Sequence, residues 1–158
     1  MSLTSGELER FVVELADSAE QWGHLVRHSD DLRVYEQIWD DEDVNAWVIC
    51  WGTDQDTGFH DHDESGAAIT VISGGVCEER LRFGAPPRSR VFGAGETFTV
   101  PATAIHRVAH CGSAPAVTIH AYSPPLVRIG AYRVGIEGEL EREVLSADDE
   151  LRAESALS

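Results

Sequence analysis

The N-terminal part of the chain has apolar residues spaced as on one face of an α-helix. Over residues 5–28 they recur at intervals of three and four, at Leu8, Phe11, Val12, Leu15, Ala19 and Trp22. Thr4 precedes this stretch and Glu7 lies three residues later, which is the spacing of a capping box. The pattern predicts an amphipathic helix that packs its apolar face against the outside of the domain that follows.

From residue 32 onward the chain changes to short runs of valine, isoleucine, threonine and aromatic residues, separated by glycine, proline and aspartate. Such runs are typical of β-strands. The predicted strands are 32–38, 45–51, 67–73, 76–83, 89–92, 97–100, 106–110, 116–122 and 131–135. Gly74-Gly75 between two of them indicates a tight hairpin. Many short strands without a βαβ unit indicate a mainly β fold, either a sandwich or a closed barrel.

The length of 158 residues fits a single domain, which we divide into three stretches. Residues 1–31 are the N-terminal helical segment, residues 32–137 are the barrel, and residues 138–158 are a charged and polar C-terminal tail. Ser146 and Asp149 have the spacing of a helix cap within this tail. A solvated tail is the simpler interpretation of its composition.

The charge of the chain limits its partners. It has 28 acidic and 12 basic residues, a net charge of −16, and no lysine. Because such a surface repels phosphate backbones and anionic lipids, we expect neither a nucleic acid nor a membrane partner. The first residues lack the features of a signal peptide, and the cysteines form no paired motif. We therefore expect a cytoplasmic protein, either a monomer or a small homo-oligomer.

The segment Phe59-His60-Asp61-His62 carries the most informative chemistry. Residues i and i+2 of a strand point to the same face, so His60 and His62 present two imidazoles side by side. Neutral imidazoles suit a divalent transition metal. A histidine pair of this kind on a surface strand is often only solvated, so the pair needs support from elsewhere in the chain.

That support comes from a second group of residues, Gly95, Pro101 and His106. Together with His60-Asp61-His62 they resemble the two-part signature of cupins, which implies a double-stranded β-helix with a metal inside. Most cupins have a glutamate four or five residues after the second histidine, where this chain has Gly66 and Ala67. Three neutral imidazoles then leave the metal its full positive charge, which favours a thiolate ligand and leaves positions open for substrate and O2.

A further row of polar residues follows near the end of the barrel. Thr118, His120 and Tyr122 alternate along one strand and therefore share a face. A buried, satisfied histidine and tyrosine in an amphipathic strand is the simpler interpretation of this pattern alone. Beside a metal site, a hydroxyl–imidazole–phenol row is suited to relay protons.

Four segments of the chain resemble the cysteine dioxygenase family of thiol dioxygenases: Cys50-Trp51-Gly52, His60-Asp61-His62, Ile105-His106-Arg107-Val108 and 115–125. The resemblance implies a ferrous ion, Fe(II), held by His60, His62 and His106. It also implies that Thr118, His120 and Tyr122 take the place of the family's Ser-His-Tyr triad. Tyr35, Gln37 and Trp51 are the implied substrate contacts, and the Ser123–Pro124 peptide bond is implied to be cis.

The resemblance implies oxidation of a small thiol by O2 to a sulfinic acid. Two departures affect this expectation. Ala67 replaces a cysteine that is crosslinked to the tyrosine in animal members, and Gln37 replaces an arginine that binds the substrate carboxylate. Because glutamine lacks the charged, bidentate fork of arginine, we expect plain cysteine to bind less well. This Gln-type variant resembles 3-mercaptopropionate dioxygenases.

Other interpretations remain open. Asp61, Asp63 and Glu64 surround the ligand loop, so a cationic thiol such as ergothioneine is one alternative, although a solvated loop explains these acids more simply. A replacement for the missing arginine can come from another strand, with candidates at Arg82, Arg88, Arg90 and Arg128. A non-catalytic metal-binding or sensing cupin, or a cupin dioxygenase with a carbon substrate, is the rival function. Neither rival needs the row of Thr118, His120 and Tyr122.

Overall fold

The computed structural model describes residues 2–147, which form an N-terminal helix followed by β-strands in two antiparallel sheets. Helix α1 spans Ser5–Asp17, and short 3-10 turns follow at Ala19–Gln21 and Gly23–Leu25. The strands are β1 Val34–Asp40, β2 Asn45–Trp51, β3 His60–Asp61, β4 Gly66–Ser73, β5 Gly75–Arg82, β6 Ala85–Gly93, β7 Thr97–Val100, β8 His106–Cys111, β9 Ala116–Ser123, β10 Arg128–Val134 and β11 Leu140–Ser146. The predicted mainly β architecture with one N-terminal helix is confirmed.

The two sheets enclose an apolar interior. One sheet has the order β1-β2-β9-β4-β7, and the other has the order β11-β10-β3-β8-β5-β6. The interior cluster draws side chains from both sheets, among them Trp47, Trp51 and Ile69 from the first and Val108 and Ile129 from the second. The candidate metal ligands are on β8 and at β3, so the second sheet carries them toward this interior.

Helix α1 covers the outer face of the first sheet. Its buried residues Leu8, Val12 and Leu15 pack with Val48 and Ile119 in a second apolar cluster. Every residue of β2 and of β9 is buried, because one face of these strands meets the interior and the other meets α1. The two strands are therefore the most constrained part of the fold, and β9 carries the predicted polar row.

The helix is shorter than the predicted range of 5–28. The capping box at Thr4 and Glu7 is present, with both of its hydrogen bonds made. The helix ends at Asp17, and the indole Nε1 of Trp22 donates to the carbonyl of Leu15 at 2.9 Å. This bond satisfies a last-turn carbonyl and folds Trp22 back into the apolar cluster, so the periodic apolar residue continues the packing without continuing the helix.

The predicted hairpin at Gly74-Gly75 is wrong. Strand β4 pairs with β7 and β9 in the first sheet, whereas β5 pairs with β6 and β8 in the second. Gly74 therefore carries the chain from one sheet to the other. Its φ is +72°, and a Cβ there would lie 2.5 Å from the carbonyl oxygen of Pro115 and 2.7 Å from the Cα of Ala116. A side chain is excluded by this approach as well as by the backbone conformation.

The barrel also extends further than predicted. Residues 138–158 were predicted to be a polar tail, but β11 pairs with β10 along its full length, from Arg128↔Ser146 to Val134↔Leu140. Its charges belong to an edge strand, where charged side chains block pairing with other chains. Asp149 of the predicted cap, with the rest of residues 148–158, lies outside the described part of the chain.

Candidate metal centre

Three buried histidines converge where β3 and β8 pair. His60 lies opposite His106 in this pairing, and His62 follows directly after β3. Their ring centroids are 4.7 to 5.0 Å apart. The Nε2 atom of His62 lies 3.2 Å from Nε2 of His60 and 3.3 Å from Nε2 of His106. Three nitrogens at about 2.1 Å from one ion stand roughly 3 Å apart, so this spacing fits a shared metal ion.

The hydrogen bonds of the Nδ1 atoms also orient the rings so that their Nε2 atoms converge. Nδ1 of His60 donates to the carbonyl of Gly58 at 3.0 Å, and Nδ1 of His106 donates to the Glu78 carboxylate at 2.7 Å. These acceptors place the ring protons on Nδ1, which leaves the Nε2 lone pairs facing one another. Nδ1 of His62 is buried and has no hydrogen-bond partner among the described residues.

Burial keeps the imidazoles of His62 and His106 neutral. Burial, followed by the neighbouring histidines, holds the pKa of His62 well below its ordinary value. Burial, His60 and Arg80 do the same for the pKa of His106. Neutral imidazoles are the form that binds a transition metal, because the lone pair is then free for coordination. The three side chains are the group of potential metal ligands found among residues 2–147.

The predicted polar row on β9 is continuous and reaches the histidines. The Thr118 hydroxyl lies 2.8 Å from Nε2 of His120, and Nδ1 of His120 lies 3.4 Å from the Tyr122 hydroxyl. The ring of Tyr122 packs edge-on against His62, with centroids 5.1 Å apart. Burial, then His60 and Arg33, lowers the pKa of His120 to about 3, so this imidazole is neutral near pH 7.

Trp51 extends the row at its far end. Its Nε1 donates to the Thr118 hydroxyl oxygen at 2.9 Å, and its indole stacks on His120. In the tautomer in which the Thr118 hydroxyl donates to Nε2 of His120, the row runs in one direction. His120 then carries its own proton on Nδ1 and donates to Tyr122. Tyr122 accepts this bond and can donate its phenolic proton toward the histidine cluster.

Tyr35 and Gln37 are the remaining predicted substrate contacts, and the structure places them differently. Tyr35 packs against the interior cluster, opposite Ile49 on β2. Gln37 lies opposite Trp47 on the same strand pair, and its side chain is exposed. The structure therefore brings Tyr35 to the interior and leaves Gln37 in solvent, so a substrate contact from Gln37 stays a prediction.

An arginine that was not among the predicted substrate contacts lies beside this row. Arg33 is 7% exposed and is the one buried arginine among residues 2–147. Its guanidinium carbon lies 5.5 Å from the centroid of the Trp51 ring, and Nη1 donates to the backbone carbonyl of Asp56. The signal for it was the alternation of Arg33, Tyr35 and Gln37 in the predicted strand 32–38, which predicts one shared face for the three.

The residue between His60 and His62 anchors the motif from outside. Asp61 is 8% exposed, and its carboxylate accepts from Arg142 on β11 at 2.9 and 3.0 Å. The Tyr132 hydroxyl and the Gly130 amide on β10 also donate to it. Burial alone would raise the pKa of Asp61, but the bonds from Arg142 and Tyr132 hold it well below its ordinary value.

The Ser123–Pro124 peptide bond is cis, as the resemblance implied. No helix within residues 2–147 is long and apolar enough to cross a membrane.

Fold and site together define a metal-binding cupin. Solved structures support the fold: a protein from Thermus thermophilus covers 65% of this chain and 93% of its own length with a TM-score of 0.58 and 17% identity. A cupin superfamily protein from Desulfitobacterium hafniense covers 65% and 87% with a TM-score of 0.56 and 10% identity. The cysteine dioxygenase type I model matches residues 9–134, so the chain belongs to that family. Cysteine dioxygenase type 1 of Danio rerio is 24% identical over 136 residues, which are 78% of this chain and 67% of that protein.

Proposed function

We propose that this protein is an iron-dependent thiol dioxygenase that converts a small thiol and O2 to a sulfinic acid. The observation that carries the proposal is the edge-on packing of Tyr122 against His62. It joins the row of Thr118, His120 and Tyr122 to three histidines whose Nε2 atoms converge. A metal site alone supports many activities, whereas this pairing within a cysteine dioxygenase family chain supports one.

His60, His62 and His106 would hold the ferrous ion, whose chemistry when bound is the activation of O2 and the binding of a thiolate. The chain's own contribution is positional. Tyr122 is the phenol nearest His62, and its proton can be donated to an oxygen or sulfur ligand on that side. His120 and Thr118 fix the direction of that proton, because each donates to the next member of the row.

The substrate is proposed to be a thiol with a negatively charged end. Two of the three acidic residues that suggested a cationic thiol have other partners: Asp61 binds Arg142 and Tyr132, and Asp63 binds Arg128. In contrast, the guanidinium of Arg33 lies over Trp51, beside the row that leads to the histidines. Arginine suits carboxylate recognition because of its charged, forked donors. This supports a carboxylate thiol such as 3-mercaptopropionate, in a Gln-type site where Arg33 takes over from position 37.

Replacement of Arg33 by methionine tests this assignment. With the Fe(II)-reconstituted protein, we expect the KM for 3-mercaptopropionate to rise about 10–100-fold, since a charge-assisted hydrogen bond contributes roughly 1.5–3 kcal/mol. The KM for cysteamine, which has no carboxylate, is expected to change less than about twofold. O2 consumption across cysteine, cysteamine, 3-mercaptopropionate and ergothioneine measures both.

Two further variants make the result specific. Arg27→Met removes a similar charge from an exposed position paired with Glu36, and should leave every KM unchanged. Gln37→Arg should improve cysteine relative to the other thiols if position 37 reaches the substrate. An equal loss with all thiols in Arg33→Met would contradict carboxylate recognition. A complete absence of O2 uptake by the iron-loaded parent protein would instead favour a non-catalytic or carbon-substrate cupin.

A further inference from the structure

A buried glutamate stands behind one of the three candidate metal ligands. Glu78 lies in the middle of β5 and is 3% exposed. It alternates with Val76, which belongs to the interior cluster, so its side chain shares the face that looks into the barrel. A buried carboxylate costs free energy unless its oxygens are well satisfied, so its contacts define what it does there.

Both oxygens of Glu78 are held as acceptors. Nε of Arg80 lies 3.1 Å from each of them, and Nη2 of the same guanidinium donates to the carbonyl of Thr99 at 2.5 Å. Because arginine only donates, both oxygens of Glu78 act as acceptors in these bonds. Its Oε2 is also 2.7 Å from Nδ1 of His106, so that ring nitrogen carries the proton and donates it.

The three histidines consequently differ in the hydrogen-bond acceptor at Nδ1. Nδ1 of His106 donates to a carboxylate, and Nδ1 of His60 donates to a neutral backbone carbonyl. Nδ1 of His62 has no hydrogen-bond partner among the described residues. A carboxylate acceptor shifts electron density into an imidazole and raises its basicity at the other nitrogen, more strongly than a carbonyl does. The histidine ligands are therefore unequal, although their side chains are identical.

We propose that Glu78 is a positioning residue that fixes the ring orientation of His106 and makes it the strongest donor of the three histidines. Through this bond it supplies negative charge to a site whose own ligands are all neutral. Arg80 limits that effect, because its guanidinium shares the carboxylate with His106. The proposal extends the metal site and needs no thiol chemistry to hold.

Affinity for Co(II) gives the first test, measured anaerobically on the metal-free protein by the absorption of the bound ion. Glu78→Gln keeps the shape and removes the charge, and should weaken Co(II) binding by about 10–100-fold. Glu79→Gln is the matched control, because the Glu79 carboxylate is next to Glu78 in the chain but pairs with Arg107 and not with a candidate metal ligand. An affinity of Glu78→Gln within about threefold of the parent would overturn the proposal.

The Fe(III)/Fe(II) midpoint potential separates donor strength from a packing effect. In fully iron-loaded protein, Glu78→Gln should raise the potential, because a weaker donor stabilises the ferric ion less. Arg80→Gln should lower the potential, since the Glu78 carboxylate then no longer shares its charge with a guanidinium and interacts more strongly with His106. Arg80→Gln leaves Glu78 in place and keeps the proposal testable if Glu78→Gln fails to fold. Shifts of the same sign in both variants, or no shift in Arg80→Gln, would overturn it. Neither readout depends on thiol oxidation, so the proposed function and this inference fail separately.

Discussion

Replacement of His62 by alanine is expected to abolish stable iron binding and all thiol-dependent O2 uptake. Its Nε2 lies within 3.3 Å of Nε2 of both His60 and His106. The alanine variant therefore has two of the three candidate ligands. Loss of an outer-shell partner already costs 10–100-fold in metal affinity, and loss of a direct ligand should exceed about 100-fold. Iron content after anaerobic reconstitution and desalting measures the effect.

The fold should survive this change, because His62 leaves Nδ1 buried without a hydrogen-bond partner among the described residues. His110→Ala is the matched control on the same sheet. His110 lies four residues beyond His106 and bonds the carbonyl of Ala114, so its removal should leave iron content unchanged. Full iron content and activity in His62→Ala would refute the ligand assignment.

Asp61→Asn is expected to give the largest loss of stability among single, isosteric changes near the site. The carboxylate joins Arg142 on β11 and Tyr132 on β10 to the segment that carries His60 and His62. Without that charge the ion pair of Asp61 with Arg142 is lost, and Arg142 keeps just the longer pair with Asp63, at 3.5 Å. We expect the free energy of unfolding to fall by about 2–3 kcal/mol, below the 3–5 kcal/mol typical of fully buried pairs because Arg142 reaches solvent.

Urea unfolding of the metal-free protein measures this directly. Glu141→Gln is the control on β11, since its ion pair with Arg133 is largely exposed and does not involve Arg142. Its effect should stay below about 0.5 kcal/mol. If the two variants lost equal stability, the anchoring role of Asp61 would be wrong. We also expect weaker metal binding in Asp61→Asn, because β3 contains just His60 and Asp61.

Periodicity accounts for what could be predicted from the sequence. Nine strands were found because alternating apolar residues mark a buried face, whereas β3 and β11 were not. Strands β2 and β9 matched within one residue at each end. The same period of two put His60 with His62 and aligned Thr118, His120 and Tyr122. The more distant His106 was found through the two-part motif, which follows the chain order of a known fold rather than a local pattern.

What was missed depends on tertiary contacts that have no local signal. Glu78 has the appearance of a solvent-facing acid in an amphipathic strand, yet Arg80 and His106 make it a buried acceptor. Strand β11 was hidden by the charges that an edge strand carries. Gly74 was placed in a hairpin because the turn signal is the same whether a chain returns to its own sheet or passes to another.

The ion pair between Asp61 and Arg142 also gives the C-terminal part of the chain a structural role. A stretch predicted to be a solvated tail supplies the guanidinium that anchors the histidine motif. Substitutions on β11 can therefore alter metal binding although β11 carries none of the candidate ligands.

The most direct test of the proposed function follows both oxygen atoms of O2. The anaerobically Fe(II)-loaded protein is mixed with 3-mercaptopropionate under 18O2, and the product is analysed by mass spectrometry. A dioxygenase predicts a sulfinate in which both oxygens are labelled, with one O2 consumed for each thiol. Unlabelled or singly labelled product, a disulfide, or no turnover of any thiol by stoichiometrically loaded protein would contradict it.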